Sequence, residues 1–341
     1  MSVKPSILLI YTGGTIGMIK DYETGALKAF DFDQLLQNIP ELQLLDCDIK
    51  TSSFETPIDS SNMNPEYWNE LCSLIASNYE SFQGFVVLHG SDTMSYTASA
   101  ISFMLENLHK PVIFTGSQLP IGDLRTDAKE NLITAIQIAA LQKRNRPVVQ
   151  EVCLYFEYKL YRANRTTKVS SEHFEAFDSP NYPPLITSGV HLMVNQELLF
   201  KPSKKSFKVH GNLVTDVLLL KMYPGIPEHL VLGMLAIQEV KGVILETYGS
   251  GNTTTATWFI EALKATIKRG IPVVNVTQCI GGGVQMGNYE TSIALKKIGV
   301  ISGGDITSEA AITKMMYLLG QELGPKVFKS VFETPLRGEL T

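Results

Sequence analysis

A continuous apolar run that ends in glycines, SILLIYTGGTIGM at residues 6–18, decides the fold. Its first part, Ser6–Tyr11, lacks polar alternation, which is typical of a parallel strand buried on both faces. The glycines that follow allow a tight turn and a close backbone approach. The stretch therefore predicts a buried strand with Thr15 at its carboxyl end, where ligands bind in open parallel sheets.

The same alternation of apolar runs and helical patterns continues along the first half of the chain. Further buried strands are predicted at Phe85–His89, Val112–Thr115 and Val152–Phe156. Apolar residues recur at helical spacing over Thr93–Asn107 and Asp127–Leu141. Strands that alternate with helices imply parallel pairing through right-handed crossovers.

The α/β pattern weakens over residues 191–212, where the polar, basic segment KPSKKSFK is typical of a linker. It then resumes, with strands predicted at Val217–Lys221, Val243–Glu246 and Val273–Thr277 and helices near Thr255–Arg269 and over Ser308–Leu319. We therefore predict an α/β protein with two α/β domains built on mainly parallel sheets. The larger N-terminal domain is expected over residues 1–190, the linker over 191–212 and the smaller C-terminal domain over 213–341.

The composition excludes several classes of protein. The 341 residues include 29 Lys+Arg and 34 Asp+Glu, and this net charge of −5 excludes a strongly basic nucleic-acid binder. No apolar run approaches the roughly 20 residues that a membrane span needs. The four cysteines and six histidines show no metal-ligand spacing. We expect a cytoplasmic protein without a membrane anchor, a cofactor or a metal.

Two loops that follow predicted strands carry hydroxyl groups. Thr15 stands among glycines as a nucleophile does in a nucleophile elbow, and there it can attack a carbonyl carbon. The alternative is a turn that binds phosphate or only reverses the chain. Ser91 and Asp92 follow the strand Phe85–His89. The alternative for Ser91 is an ordinary helix N-cap, which is the commoner role of a serine in this position.

Two other loops carry charged side chains. Asp59 and Ser60, in PIDSSNM, are suited to gripping a small zwitterion, or they form a turn before a helix that starts at Pro65. Lys168 ends YRANRTTK and is a candidate base for a neighbouring hydroxyl, or it belongs to a solvated basic loop. The chain has neither a G-x-G-x-x-G fingerprint nor a Walker A motif, which disfavours a nucleotide site.

Taken together, these segments resemble the asparaginase/glutaminase family, and in particular its cytoplasmic type I L-asparaginases. The resemblance rests on an ordered set of motifs along the whole chain. They are TGGTIGM (12–18), PIDSSNM (57–63), LHGSDTMSYTASAISFMLENL (88–108), TGSQLPIGDLRTDA (115–128), LYRANRTTK (160–168), YPGI (223–226), YGSGN (248–252), NVTQC (275–279) and LRGELT (336–341).

The resemblance implies hydrolysis of L-asparagine to L-aspartate and ammonia without a cofactor. Thr15 matches the family's nucleophile. Ser91, Asp92 and Lys168 match a second catalytic cluster, whose aspartate also holds the substrate's α-ammonium group. The remaining matches are to substrate-binding residues: Asp59 and Ser60 at the α-amino and α-carboxylate groups, Ser117 near the side-chain amide, and Asn252 from a neighbouring subunit. A shared site implies a homodimer or a dimer of dimers.

Three positions depart from the family pattern. Ser91 stands where the family usually has threonine, so its hydroxyl lacks the methyl group that stiffens χ1. The position at which many family members carry the tyrosine that assists the nucleophile holds no tyrosine in this chain. Either Tyr22 or Tyr289 would supply the phenol instead, and we favour Tyr289. Thr167 and Cys279 match parts of an allosteric asparagine site, whereas Glu246 stands where an arginine would bind the effector carboxylate. We therefore expect weak or no activation by asparagine.

Other functions stay open at this point. A glutaminase or dual-specificity amidase differs in substrate by one methylene, which is worth only about 1–3 kcal/mol of discrimination. A glutamine-hydrolysing subunit of a tRNA amidotransferase usually has an extra N-terminal domain, and the early TGGTIGM strand argues against it. A non-enzymatic asparagine sensor is a further alternative. A phospholipid-directed hydrolase is disfavoured by the lack of a GxSxG elbow.

Overall fold

The computed structural model of the protein describes residues 4–20, 27–29, 39–201, 204–287 and 290–341. Its contacts divide the chain into two compact units, the first extending to Gly211 and the second beginning at Asn212. Each unit has its own sheet and its own hydrophobic core.

The first unit is built on an eight-stranded sheet. Its strands are β1 Ser6–Gly13, β2 Asp48–Ile58, β3 Gly84–Leu88, β4 Val112–Thr115, β5 Val152–Phe156, β6 Lys159–Arg162, β7 Ile186–Thr187 and β8 Met193–Val194. They lie in the order β8-β7-β6-β5-β4-β3-β1-β2. The strands β1 to β5 pair in parallel, and β6, β7 and β8 continue the sheet in antiparallel pairing.

The strand register brings three loops to one edge of this sheet. Tyr11 pairs with Leu88 and Leu88 pairs with Thr115, so β1, β3 and β4 end side by side. Every residue of β3 and β4 is buried, as the lack of polar alternation predicts. The loops that start at residues 14, 89 and 116 therefore emerge together.

The helices in the described part of the first unit are α1 Pro65–Asn78, α2 Met94–Met104 and α3 Ala128–Ala139. The α1 helix begins at Pro65 because the Asn64 side chain accepts hydrogen bonds from the amides of Glu66 and Tyr67. All residues of α2 except Tyr96 are buried, and α3 packs its apolar face into the main core.

Short elements complete the first unit. Turns of 3₁₀ helix lie at Thr15–Gly17, Pro40–Leu44, Ser60–Asn62, Ser91–Thr93 and Ala163–Arg165. Short strands pair Met18–Lys20 with Leu27–Ala29, Gln142–Lys143 with Arg146–Pro147, Thr167–Lys168 with Phe177–Asp178, and Leu105–Glu106 with Lys208–Val209. The β8 strand and Lys208–Val209 attach parts of segment 191–212 to the first unit.

The second unit has a four-stranded parallel sheet. Its strands, in spatial order, are β9 Val217–Lys221, β10 Gly242–Thr247, β11 Val273–Thr277 and β12 Ile301–Ser302. The helices are α4 Glu228–Leu235, α5 Thr257–Lys268, α6 Glu290–Ile298, α7 Ser308–Leu319 and α8 Pro325–Phe332. The expected two-domain α/β fold with mainly parallel sheets is confirmed. Among the residues described, no helix is long and apolar enough to cross a membrane.

Candidate active site

Thr15 lies at the start of a 3₁₀ turn that follows β1, and its side chain is half-buried. The two preceding glycines have positive φ, 132° for Gly13 and 90° for Gly14, which only glycine adopts without strain. A methyl group on Gly14 would lie 2.5 Å from Cα of Gly90. The loops that carry Thr15 and Ser91 are therefore in direct backbone contact, one residue before each hydroxyl.

Buried side chains of β1 hold the turn that carries Thr15 in place. The hydroxyl of Thr12 donates to the Leu88 carbonyl at 3.0 Å, which uses this threonine to join β1 to β3. The Tyr11 phenol donates to the Gly14 carbonyl at 3.4 Å. Burial raises the pKa of Tyr11 to about 12, so the phenol keeps its proton at neutral pH. Thr12 and Tyr11 thus have structural roles, and Thr15 is the more exposed of the two threonines.

Ser91, Asp92 and Lys168 form one cluster. The ammonium of Lys168 donates to Ser91 Oγ at 2.8 Å and to Asp92 Oδ1 at 2.6 Å. The Lys168 side chain is only 18% exposed, whereas that of Asp92 is 67% exposed. The Lys168 side chain is therefore largely buried, and its ammonium group contacts Ser91 and the more exposed Asp92 at the rim of the site.

Ser91 is not a helix cap. The N-cap position of α2 is Thr93, whose hydroxyl donates instead to the Ser60 carbonyl at 2.7 Å. The Ser91 hydroxyl donates to Oε1 of Gln118 at 3.3 Å and accepts from Lys168. The alternative role as an ordinary cap is therefore wrong, and the hydroxyl belongs to a polar network.

Asp59 and Ser60 lie against the same two loops. Asp59 precedes the turn Ser60–Asn62, and its Oδ1 accepts from the amide and the hydroxyl of Ser61, both at 2.9 Å. The hydrogen bond from the Ser61 amide has the larger effect and the one from the Ser61 hydroxyl the smaller, and together they hold the pKa of Asp59 below its ordinary value. A methyl group on Gly90 would lie 2.5 Å from Oγ of Ser60. The turn predicted as an alternative thus places the Ser60 hydroxyl against Gly90, with the exposed carboxylate of Asp59 one residue before it.

The loop after β4 supplies Ser117 and also Gln118, which the sequence analysis did not single out. Ser117 is buried, and its hydroxyl donates to the Leu119 carbonyl at 2.6 Å. The Gln118 side chain accepts from Ser91 and donates to the His173 carbonyl at 3.1 Å. The only sequence signal for Gln118 is its place beside Ser117 in the motif TGSQLPIGDLRTDA.

His89 directly follows β3, and its buried side chain supports the Gly90 loop. It is 1% exposed, and its Nδ1 lies 2.7 Å from the Gly90 carbonyl, so this nitrogen carries the proton. Burial lowers the pKa of His89 to about 4, which leaves the imidazole neutral at neutral pH. His89 therefore fixes the loop as a hydrogen-bond donor.

The remaining predicted site residues are Thr167, three residues of the second unit and two tyrosines. Thr167 opens the short strand that contains Lys168. In the second unit, Asn252 forms a bridge with Tyr248, the exposed Cys279 donates its amide to Thr277 at 3.0 Å, and Glu246 pairs with Lys221 at 3.1 Å. Tyr22 and Tyr289 fall outside the described residues. In the described part of the chain, no group of three His, Cys, Asp or Glu side chains is arranged to hold a metal ion.

Comparison with known families covers nearly the whole chain. The family described as "Asparaginase, N-terminal" matches residues 6–200, and "Glutaminase/Asparaginase C-terminal domain" matches residues 216–332. The chain belongs to the asparaginase family. The resemblance predicted from the ordered motifs is thereby confirmed.

Individual relatives agree with this assignment. The chain is 43% identical to L-asparaginase 1 of Escherichia coli (strain K12), over 99% of this chain and 98% of that protein. The crystal structure of L-asparaginase I from Vibrio cholerae matches with a TM-score of 0.91 and 41% identity, covering 99% of this chain and 100% of that one. A Mus musculus protein named 60 kDa lysophospholipase is 40% identical over 100% of this chain and 63% of its own length.

Proposed function

We propose that this member of the asparaginase family hydrolyses the side-chain amide of L-asparagine to L-aspartate and ammonia, with Thr15 as the nucleophile. The observation that carries the proposal is the contact between Gly14 and Gly90, which sets Thr15 beside the Ser91-Asp92-Lys168 cluster. Amide hydrolysis by this route uses a nucleophile and groups that move a proton, and a hydroxyl beside a second hydroxyl, a carboxylate and an ammonium group can supply both.

Substrate binding follows from the charges around this contact. Asp59 and Asp92 present carboxylates toward solvent, and both suit the α-ammonium group of a free amino acid. Ser60 and the loop amides suit its α-carboxylate. Ser117 lies in the loop that would meet the side-chain amide. Holding both charged ends fixes the amide carbon over Thr15, and such positioning lowers the barrier to attack.

The proposed reaction has two steps. The Thr15 oxygen attacks the amide carbon, its proton passes to the departing ammonia, and an acyl ester forms on the threonine. Water then attacks the ester, L-aspartate leaves and Thr15 regains its proton. In both steps loop N–H groups stabilise the negative oxygen. The Lys168 ammonium pairs with Asp92 and donates to the Ser91 oxygen, which leaves the serine proton free to be directed.

The first test is ammonia release by purified protein from L-asparagine and, in parallel, from L-glutamine. Turnover of asparagine that Thr15→Ala abolishes and Thr15→Ser partly retains would support the proposal, provided that the melting temperatures stay alike. Absence of turnover, with asparagine still raising the melting temperature, would contradict it and make the protein an amino-acid sensor.

A glutaminase or dual-specificity amidase is the second candidate, because the matching C-terminal family carries both activities in its description. The ratio of kcat/KM for the two amides decides between them.

The tyrosine that assists Thr15 is proposed to be Tyr289. Loss of kcat in Tyr22→Phe with retention in Tyr289→Phe would reverse that assignment.

We also propose a cytoplasmic homodimer, or a dimer of dimers, in which Asn252 of one subunit completes the site of the next. Mixing Thr15→Ala with Asn252→Ala protein tests this. A heterodimer would contain one intact site, so random re-association should restore about a quarter of wild-type activity from two inactive proteins. No recovery after subunit exchange would contradict the shared site.

A further inference from the structure

Asp127 occupies the N-cap position of α3 but does not cap that helix. An N-cap carboxylate normally accepts from the amides of the first helical turn. The hydroxyl of Thr126 accepts from the Ala128 amide at 3.0 Å and caps this end of the helix in its place. The Asp127 carboxylate is thereby released to turn away from its helix.

The released carboxylate holds the loop that follows β4. It accepts from the Gln118 amide, at 3.1 Å to Oδ1 and 2.9 Å to Oδ2, and from the Leu119 amide at 3.1 Å. The Asn131 side-chain amide completes its contacts at 3.2 Å and also donates to the Gly116 carbonyl at 3.0 Å. Asp127 is only 5% exposed, so these bonds are the compensation for burying its charge.

The fixed loop reaches the catalytic cluster through one side chain. The Gln118 amide group accepts from the Ser91 hydroxyl at 3.3 Å and donates to the His173 carbonyl at 3.1 Å. Ser91 in turn accepts from Lys168. A chain of hydrogen bonds therefore runs from Asp127, through the backbone and side chain of Gln118, to the hydroxyl that faces Lys168.

We infer that Asp127 is a positioning residue for the second catalytic cluster. It fixes the backbone of Gln118, and Gln118 then directs the Ser91 proton; this inference rests on the proposed function. A carboxylate is needed because it offers acceptor oxygens to two loop amides and to Asn131 at once. An asparagine at position 127 would offer only one acceptor oxygen. Its NH₂ group would face a loop N–H, and two donors cannot form a hydrogen bond.

The test compares Asp127→Asn with Asp123→Asn, which removes the same charge from the same loop without a loop-amide bond. We expect Asp127→Asn to lower kcat by about 10- to 100-fold and to change KM by less than about threefold, since positioning acts on the reacting step. Asp123→Asn should leave both constants unchanged. Gln118→Met, which keeps the loop but removes the amide group, should reproduce the loss of kcat.

A double-mutant cycle separates positioning from general damage. If Asp127 acts through Ser91, adding Asp127→Asn to Ser91→Ala should lower kcat no further. Losses that multiply would overturn the inference, as would unchanged kcat in Asp127→Asn.

Hydrogen exchange of the 118 and 119 amides gives a readout that does not depend on turnover. It should accelerate at least tenfold in Asp127→Asn and stay unchanged in Asp123→Asn. If wild-type protein hydrolyses neither amide, the proposed function fails, and this exchange result alone decides whether Asp127 holds the loop. Exchange unaltered by Asp127→Asn would overturn the inference in either case.

Discussion

The ammonium nitrogen of Lys168 lies 2.8 Å from the hydroxyl oxygen of Ser91. Because an ammonium group only donates, Ser91 must accept in this bond and turn its own proton elsewhere. In the structure that proton goes to Gln118 at 3.3 Å, a long bond that a substrate or a water molecule can replace. The pair therefore sets the direction of the serine proton.

Ser91→Ala should remove this proton path while Lys168 keeps its bond to Asp92. We expect kcat to fall by about 10²- to 10⁴-fold, the usual worth of a positioned acid–base group. Ser91→Thr should keep or raise kcat, because the added methyl group restricts χ1. Steady-state kinetics with L-asparagine on all three proteins measures both effects. Wild-type kcat in the alanine variant would show that Ser91 has no part in the reaction.

The central strands of the first unit could be predicted because burial on both faces leaves an uninterrupted apolar run. The β2 strand has no such run, because within the described residues it pairs only with β1 and most of its side chains are polar and partly exposed. The antiparallel turn from β5 into β6 also escaped prediction. It bends at Glu157 and Tyr158, both with positive φ, and these residue types give no signal for such a turn.

The candidate site, like the fold, could be predicted from the sequence only in part. The hydroxyls and charges at strand ends are visible as residue types, but Ser91 and Lys168 are 77 positions apart, and no spacing rule joins them. Their grouping was predicted only through the family resemblance. Gln118 and Asp127 escaped altogether, because Asp127 acts on backbone amides, which carry no sequence signal.

Glu157 should make the protein less stable as pH rises from 4.5 to about 7. Burial first, then the carboxylates of Asp127, Glu130 and Glu175, raise the pKa of Glu157 from 4.5 to about 7. Between these values the folded protein binds more protons than the unfolded chain, so the free energy of unfolding falls as pH increases. Glu157→Gln should therefore stabilise the protein above pH 7 by about 1 kcal/mol after solvent screening, and not below pH 4.5.

Urea unfolding at pH 5, 6, 7 and 8 measures this gain. The exposed Glu172→Gln serves as the matched control and should show no pH-dependent difference from wild type. A Glu157→Gln gain that is equal at pH 5 and pH 8 would contradict the assigned cause.

Glu246 should prevent activation by asparagine. Its nearly buried carboxylate pairs with Lys221 at 3.1 Å and accepts from the Ser308 hydroxyl, so it repels an effector carboxylate and its own partners are already in place. We expect a hyperbolic dependence of rate on asparagine concentration, with a Hill coefficient near one. Initial rates over about a thousandfold concentration range test this. A coefficient clearly above one in the wild-type protein would contradict the role of this carboxylate.

Removing one partner of the buried Lys314–Glu339 ion pair should strongly destabilise the second unit. Both side chains are fully buried, and the Lys314 ammonium also donates to the carbonyls of Phe332 and Thr334 at 2.7 and 2.8 Å. Lys314→Met leaves the Glu339 charge buried without its cation, and we expect a loss of about 3–5 kcal/mol. Adding Glu339→Gln removes that charge and should recover part of the loss.

The control is Lys264→Met, which breaks an exposed pair with Glu261. It should change the free energy of unfolding by less than about 0.5 kcal/mol in the same urea titration. Equal losses in the two lysine variants would show that burial does not set the strength of the Lys314 pair.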